Sequence, residues 1–206
     1  MSQESPDLSV GRIQLSLLIV DAVVVVSELL MATPAAITPE MISPRTLRRV
    51  TQEGLVRPAP GRRRRSLPAA EVEYLRRHWE ALAALRRALR TERSVATAVV
   101  FGSFARGDDT PTSDIDLAVL SRGPAFNHRR LRENLSIAAG RRVDLVDWDT
   151  LHQAPEMELA VATDGRPLVD RVGAFPAIRA QRENARRRAA RLRQRQWRAI
   201  ERLWDG

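Results

Sequence analysis

The stretch FGSFARGDDTPTSDIDLAVL, residues 101–120, constrains the fold of this 206-residue chain more than any other segment. The apolar segment VATAVVFGS predicts a buried strand that ends at Gly102 and Ser103. The segment SDIDLAVLS predicts a second strand, in which Asp114 and Asp116 share one face because side chains two residues apart point the same way. Two like charges at such positions repel each other, so the pair indicates a function and not a structural role.

The two aspartates are typical of a site for a divalent cation. Hard Mg²⁺ prefers carboxylate and phosphate oxygens as ligands. A third acid, Asp144, lies in the apolar segment VDLVD, which predicts a further strand. If that strand lies beside the Asp114 strand, three carboxylates come together.

The Gly102-Ser103 pair predicts a turn that binds phosphate. Glycine lets the backbone approach a phosphate closely, and the N–H groups of a helix beginning here would donate to it. Ser103 adds a hydroxyl, and Arg106 either contacts a phosphate or pairs with Asp108 or Asp109. A phosphate-binding turn beside a metal site suits nucleotidyl transfer, in which two metal ions about 3.5–4 Å apart stabilise the attacking and leaving oxygens.

These motifs resemble the minimal nucleotidyltransferase family of the DNA polymerase β superfamily. That family carries a hydrophobic residue, Gly-Ser, a short loop and then Asp-hydrophobic-Asp-hydrophobic, with a later acid on another strand, and residues 95–172 follow the pattern. The resemblance implies a mixed sheet with helices on one face. It also implies Mg²⁺-dependent transfer of a nucleoside monophosphate, AMP being expected, from NTP to a hydroxyl group on a protein or an RNA.

The resemblance assigns a role to each motif residue. Gly102, Ser103 and Arg106 would bind the nucleotide. Asp114 and Asp116 would hold two Mg²⁺ ions, and Asp144 would hold the catalytic ion and help to activate the acceptor hydroxyl. Many members of the family are antitoxins that modify an RNase toxin of the HEPN type, and we expect such a toxin to be a separate chain. The alternative is a copy that keeps the fold without catalysis.

Residues 41–77 resemble the winged helix-turn-helix of the MerR type. A Ser-Pro-Arg-Thr-Leu-Arg segment ends in Glu-Gly-Leu, and an arginine-rich loop follows. The departure is Arg49-Val50, where the family has an aromatic pair. The resemblance implies DNA contacts by helix and wing arginines, namely Arg45, Arg48, Arg49, Arg62, Arg63, Arg64 and Arg65. The alternative is a solvated basic face on a scaffold or partner-binding domain.

Charge divides the chain into three parts. Residues 1–94 have a net charge of +5, residues 95–176 of −3 and residues 177–206 of +7, and every basic residue is arginine. We therefore predict an α+β protein with a winged helix-turn-helix over 1–94, a nucleotidyltransferase domain over 95–175 and a long basic helix over 176–206. The arginines of that helix are either solvated on a docked helix or bind RNA or DNA phosphates.

The apolar segment at residues 13–32 predicts a buried or partner-facing helix and not a membrane span. Asp21 and Glu28 interrupt it, whereas a spanning helix needs about 20 mostly apolar residues. The chain has no cysteine, which excludes disulfides and thiolate chemistry. We expect a cytoplasmic protein without a membrane partner, and leave open whether it forms a homodimer.

The second hypothesis is that the protein is a DNA-binding transcriptional regulator. It would use the nucleotidyltransferase fold as a nucleotide sensor or dimerisation module. Loss of Asp114 would abolish function in the first hypothesis and spare it in the second. Substitution of Arg48 and Arg64 would do the reverse. Modification of a small molecule ranks third, because no dedicated acceptor pocket is recognisable in the sequence.

Overall fold

A four-stranded sheet is the centre of the part of the chain that the structure describes. This computed structural model describes residues 42–58, 67–123 and 126–204, which all belong to one unit. The helix predicted at 13–31 and the wing arginines Arg62 to Arg65 lie outside these residues. The strands are β1 (Val95–Phe101), β2 (Ile115–Ser121), β3 (Val143–Asp147) and β4 (Arg166–Asp170).

Helices surround the sheet, numbered in chain order within the described residues. They are α1 (Pro44–Gln52), α2 (Ala69–Thr91), α3 (Gly102–Arg106), α4 (His128–Ala139), α5 (Trp148–Gln153), α6 (Pro155–Asp164), α7 (Ala174–Ala180) and α8 (Arg182–Trp204).

The sheet is mixed, with strand order β3-β2-β1-β4. Strand β1 is antiparallel to both β2 and β4, while β2 and β3 are parallel. A parallel pair needs a crossover connection, which α4 provides between β2 and β3. The α+β class and the mixed sheet predicted from the sequence are confirmed.

Helices cover both faces of the sheet, so the expectation of helices on one face is wrong. Val99, Phe101 and Ala118 pack against side chains of α5, α6 and α7. Ile115 and Leu117 point to the other face and are also fully buried. On that side α2 contacts β4, α4 contacts β3, and the two helices contact each other. Strand β1 is accordingly buried at every position, as a continuous apolar run indicates.

The ends of α1 follow the capping signals in the sequence. Ser43 is the N-cap and its side chain accepts a hydrogen bond from the Thr46 N–H at 3.2 Å, with Pro44 at the first helical position. The helix ends at Glu53, and Gly54 then takes a left-handed conformation with φ of 83°.

The basic C-terminal segment differs from the single long helix that we predicted. It forms α7 and α8, with a break at Gln181. Phe175 and Ile178 of α7 pack into the core beside the sheet, whereas Ala185 and Ala189 are the buried residues of α8, which packs on α6. One straight helix has a single axis, so the break allows the two segments to meet different partners.

Across residues 42–58, 67–123 and 126–204, none of the helices has the length and apolar character needed to cross a membrane. The apolar segment at 13–32 lies outside these ranges.

Candidate active site

The parallel pair of strands brings two of the three predicted acids side by side. Asp116 of β2 is in register with Asp144 of β3 on one side and with Phe101 of β1 on the other. Asp114 directly precedes the first residue of β2. The prediction that the Asp144 strand lies beside the Asp114 strand is confirmed.

The charge of Asp116 is poorly compensated by the protein. Burial raises the pKa of its carboxyl group, and the neighbouring carboxylates of Asp144 and Asp114 raise it further, while the Arg106 guanidinium offsets part of the increase. Both effects disfavour the carboxylate form. A cation bound here would remove the repulsion among the three acids.

Arg142 is the positive group nearest to two of these acids. Its Nε lies 3.5 Å from Oδ2 of Asp114 and 3.4 Å from Oδ1 of Asp144. The side chain is 71% exposed, so water screens both contacts and each contributes little to stability.

The acids are suitable ligands for Mg²⁺, but they are not gathered into a preformed site. Among the described residues, no group of three or more His, Cys, Asp or Glu side chains is close enough to hold a metal ion. Carboxylate oxygens are nevertheless the ligands that Mg²⁺ prefers, and the register of β2 with β3 places Asp116, two residues after Asp114, beside Asp144. Asp114 and Asp144 are each about one-third exposed, which leaves their side chains free to rotate toward an ion.

The conformation of Gly102 ties the phosphate-binding turn to Asp116. Gly102 has φ of 71°, a left-handed conformation that residues with a Cβ rarely adopt. A Cβ at this position would overlap the Asp116 carboxylate. Helix α3 begins at this residue, with Ser103 half-buried in its first turn. The Gly-Ser turn and the acidic cluster therefore form one site.

Arg106 is engaged in ion pairs. Its Nε donates to Oδ2 of Asp108 at 3.0 Å, and its Nη1 lies 3.6 Å from Oδ2 of Asp164. The hydrogen bond with Asp108 and the nearby acids raise the pKa of Arg106. The predicted pairing with Asp108 is confirmed, whereas a contact with phosphate stays a prediction.

A buried ion-pair network next to the site was missed from the sequence. Asp109 is buried and accepts hydrogen bonds from His78 Nε2 and from Arg141 Nη1, both at 2.7 Å. Arg141 also donates to the carbonyl oxygens of Thr110 and Ser113. These bonds hold the loop between α3 and β2 immediately before Asp114.

His78 contacts two hydrogen-bond acceptors in this network. Its Nε2 faces the Asp109 carboxylate, and its Nδ1 lies 2.8 Å from the carbonyl oxygen of Tyr74. These two contacts fix the orientation of the buried imidazole ring. One signal in the sequence pointed to this role, since helical spacing from Leu75 and Leu82 places His78 on the buried face of α2, where a histidine needs partners.

The predicted DNA-binding arginines of α1 are exposed. Arg45, Arg48 and Arg49 have i, i+3, i+4 spacing and lie along one surface of the helix, while Val50 is buried. The predicted wing arginines lie outside the described residues, namely Arg62, Arg63, Arg64 and Arg65. The structure therefore describes only the helix arginines of this prediction.

Residues 82–169 match the family model described as "Nucleotidyltransferase domain". Residues 82–169 are thus similar to nucleotidyltransferase domains. The match spans Gly102, the three acids and all four strands of the sheet up to Val169. The enzyme class expected from the sequence, a nucleotidyltransferase, is thereby confirmed. The nucleotidyltransferase match begins inside α2, upstream of the boundary predicted at residue 95.

Two comparisons complete this picture. No curated protein matches the chain. Among solved structures, a crystal structure of a toxin–antitoxin with AMP-PNP matches at 24% identity and a TM-score of 0.45, covering 60% of this chain and 98% of that chain. A tri-AMPylated Shewanella oneidensis HEPN toxin in complex with an MNT antitoxin matches at 20% identity and a TM-score of 0.43, covering 60% and 96%. Similarity at this level assigns no role, and the nucleotidyltransferase domain rests on the family model.

Proposed function

We propose that the protein is a Mg²⁺-dependent nucleotidyltransferase of the minimal type, which moves AMP from ATP to a hydroxyl group on a protein or an RNA. One observation carries the proposal. Asp116 adjoins two like charges and the Gly102 turn, and the pKa of its carboxyl group is raised. An arrangement that strains the apoprotein in this way is typical of a site built for a ligand.

The site residues divide the work between nucleotide and metal. Gly102 and Ser103 would bind the triphosphate through backbone N–H groups and the serine hydroxyl, and Arg106 would exchange its exposed partner Asp108 for a phosphate. Asp114, Asp116 and Asp144 would hold the two Mg²⁺ ions. When bound, the ions supply the positive charge that stabilises the attacking and leaving oxygens.

The reaction is a displacement at the α-phosphorus of the NTP. The acceptor oxygen forms a bond to that phosphorus, the bond to the β-phosphate oxygen breaks, and pyrophosphate leaves. The carboxylate of Asp144 would act as the general base that receives the proton of the acceptor hydroxyl. Its partly exposed side chain leaves room for a macromolecular acceptor to approach.

The proposed acceptor and the proposed role in the cell follow from the resemblance of the motifs to the minimal nucleotidyltransferase family. We propose a separate HEPN-type toxin chain as the first acceptor to test and RNA as the second. With such a toxin, the protein would serve as its antitoxin in the cytoplasm.

A second candidate function is DNA binding. The specific observation is the exposed row of Arg45, Arg48 and Arg49 on α1, which would suit contacts with phosphates. An antitoxin could use it to regulate its own promoter. A regulator without enzyme activity could use it with the nucleotidyltransferase fold as a nucleotide sensor or dimerisation module.

The test is transfer of label from α-³²P-ATP, with Mg²⁺, into a lysate of the source cell. The wild type is compared with Asp114→Asn and with Asp149→Asn, an exposed acid outside the site. A band or RNA labelled by the wild type and Asp149→Asn, but not by Asp114→Asn, supports the enzyme and identifies its acceptor. Absence of label with each of the four NTPs, in folded protein, contradicts it. A gel shift on the promoter with Arg48→Ala then tests DNA binding.

A further inference from the structure

A cavity of about 440 Å³ lies between α1, α2 and β4, away from the candidate active site. Asp170 at its rim is in register with Thr97, near the start of β1. Gly102, by contrast, follows the end of β1. The cavity and the acidic cluster are therefore at opposite ends of the same strand, and they share no residue.

Arg86 contributes a buried guanidinium to the wall of this cavity. Its side chain is only 6% exposed, and its Nη2 pairs with Glu53, which also lines the cavity. Its Nη1 has no hydrogen-bond partner among the described residues. This nitrogen is closed to solvent, so Arg86 acts on the cavity through its positive charge and not through a free donor.

Arg90, one helical turn after Arg86 on α2, lines the same cavity and makes no ion pair within the described part of the chain. Arg90 is exposed, but partial desolvation lowers its pKa, and the positive charges of Arg86 and Arg49 lower it further, while Glu53 offsets part of the effect. Three guanidinium groups thus act on one another with a single carboxylate among them. That excess of positive charge favours an anion.

The other charged groups of the wall are already occupied. Arg171 donates to the carbonyl oxygens of Leu89, Arg90, Glu92 and Val95. Asp170 accepts from the Thr97 hydroxyl and from backbone N–H groups after β4. Arg90 is therefore the charged group of the wall that is exposed and whose side chain makes no ion pair or hydrogen bond within the described residues.

We propose that this cavity binds a phosphate-bearing anion, held by the guanidinium group of Arg90 and attracted by the positive charge of the buried Arg86. Planar guanidinium groups match phosphate oxygens and bind them with charge-assisted hydrogen bonds. The side-chain amide of Gln52, also in the wall, is a further donor. The volume is within the range of about 300–1,000 Å³ for small-molecule sites, enough for a nucleotide. The site lies outside the catalytic centre of the proposed function and does not depend on it.

The phosphate could come from a free nucleotide or from a nucleic-acid backbone, because both present the same oxygens. Two probes separate these sources, namely pyrophosphate and a short DNA duplex. Binding of each is measured by isothermal titration calorimetry with EDTA, so that no divalent cation assists binding at the acidic cluster. The proteins are the wild type, Arg90→Gln and the matched control Arg87→Gln, an exposed arginine of α2 outside the cavity.

We expect Arg90→Gln to weaken binding of at least one probe about tenfold, since it removes a charge-assisted hydrogen bond, and Arg87→Gln to leave it unchanged. An effect on pyrophosphate identifies a free phosphate ligand, and an effect on the duplex alone identifies the backbone. Circular dichroism verifies that both variants fold, which their exposed positions favour. Failure of both probes to bind overturns the proposal. So does equal binding by Arg90→Gln and wild type, or an equal loss in both variants.

Discussion

Asp109 and Asp116 lie on one short segment, and the first is buried and the second half-buried, yet their surroundings are opposite. Burial by itself would raise the pKa of Asp109, but hydrogen bonds from Arg141 and His78 outweigh it and hold the pKa below its usual value. At Asp116, burial and two neighbouring carboxylates act in the same direction and raise the pKa. The fold thus neutralises one aspartate with its own side chains and leaves the other to repel its neighbours.

This difference separates an acid with a structural role from one that is a candidate for function. A carboxylate that accepts hydrogen bonds from an arginine and a buried histidine stabilises the fold, and these bonds occupy its oxygens. A carboxylate beside two like charges weakens the fold until a cation binds. The same comparison holds for arginines, since Arg171 is saturated by carbonyl oxygens while the Nη1 of Arg86 has no partner among the described residues.

The largest expected effect is on catalysis by Asp116→Asn. The substitution removes one of the proposed metal ligands, so the proposed transfer of AMP should fall by about a hundredfold or more. The free energy of unfolding should stay the same or rise, because repulsion from Asp114 and Asp144 is relieved. Label transfer and urea denaturation measure the two quantities. A loss of stability would contradict the view that this acid strains the fold.

The next effect is on stability, through Asp109→Asn. The variant leaves the buried His78 and Arg141 without their carboxylate partner, and we expect it to lower the free energy of unfolding by about 2–3 kcal/mol. Urea denaturation gives the value. Asp108→Asn is the control, since that side chain is exposed and should change stability by less than about 1 kcal/mol. Equal effects in the two variants would remove the distinction between the paired and the exposed acid.

The pH dependence of stability should have opposite signs at the two sites. The lowered pKa of Asp109 gives stability that is present above the pKa of an unfolded aspartate and is lost as the pH falls through the folded value. The raised pKa of Asp116 gives a destabilisation that is present above its folded value and disappears as the pH falls to the unfolded value. Asp116→Asn should therefore stabilise the protein most at neutral pH and least in acid. Thermal denaturation across this range tests the sign, and a gain that grows in acid would refute it.

The smallest effect is expected from Arg142→Gln. Its contacts with Asp114 and Asp144 are long and exposed, so stability should change by less than about 1 kcal/mol. The Mg²⁺ concentration for half-maximal activity should fall, because a competing positive charge leaves the acids. Activity measured against Mg²⁺ concentration provides the test. A higher requirement for Mg²⁺ would show instead that Arg142 helps to assemble the site.

Most of the site could be predicted because its signals are local. The apolar run of β1, the glycine that ends it and the alternation of Asp114 and Asp116 each depend on neighbours in the chain. The capping residues of α1 are local in the same way. Pairing of Asp116 with Asp144 needed one further assumption, that the two strands adjoin, and the register of β2 with β3 confirms it.

The misses have a common cause in long-range contacts. The pairing of His78 with Asp109 and Arg141 joins three separate segments, and no spacing in the sequence predicts which acid a buried histidine will meet. The second layer of helices and the break at Gln181 likewise depend on how whole elements pack.

The sequence by itself determined the strand-turn-helix motif, the acidic pair and hence the chemistry, because residue type and spacing decide which groups can bind phosphate and metal. Only the tertiary structure decided which charges are compensated. Asp109 and Asp116 are the same residue type on one segment, and their opposite pKa shifts come from groups brought together by packing. The unpartnered Nη1 of Arg86 beside the α1–α2 cavity was likewise visible only after the chain had folded, since neither a cavity nor a missing partner exists in a linear sequence.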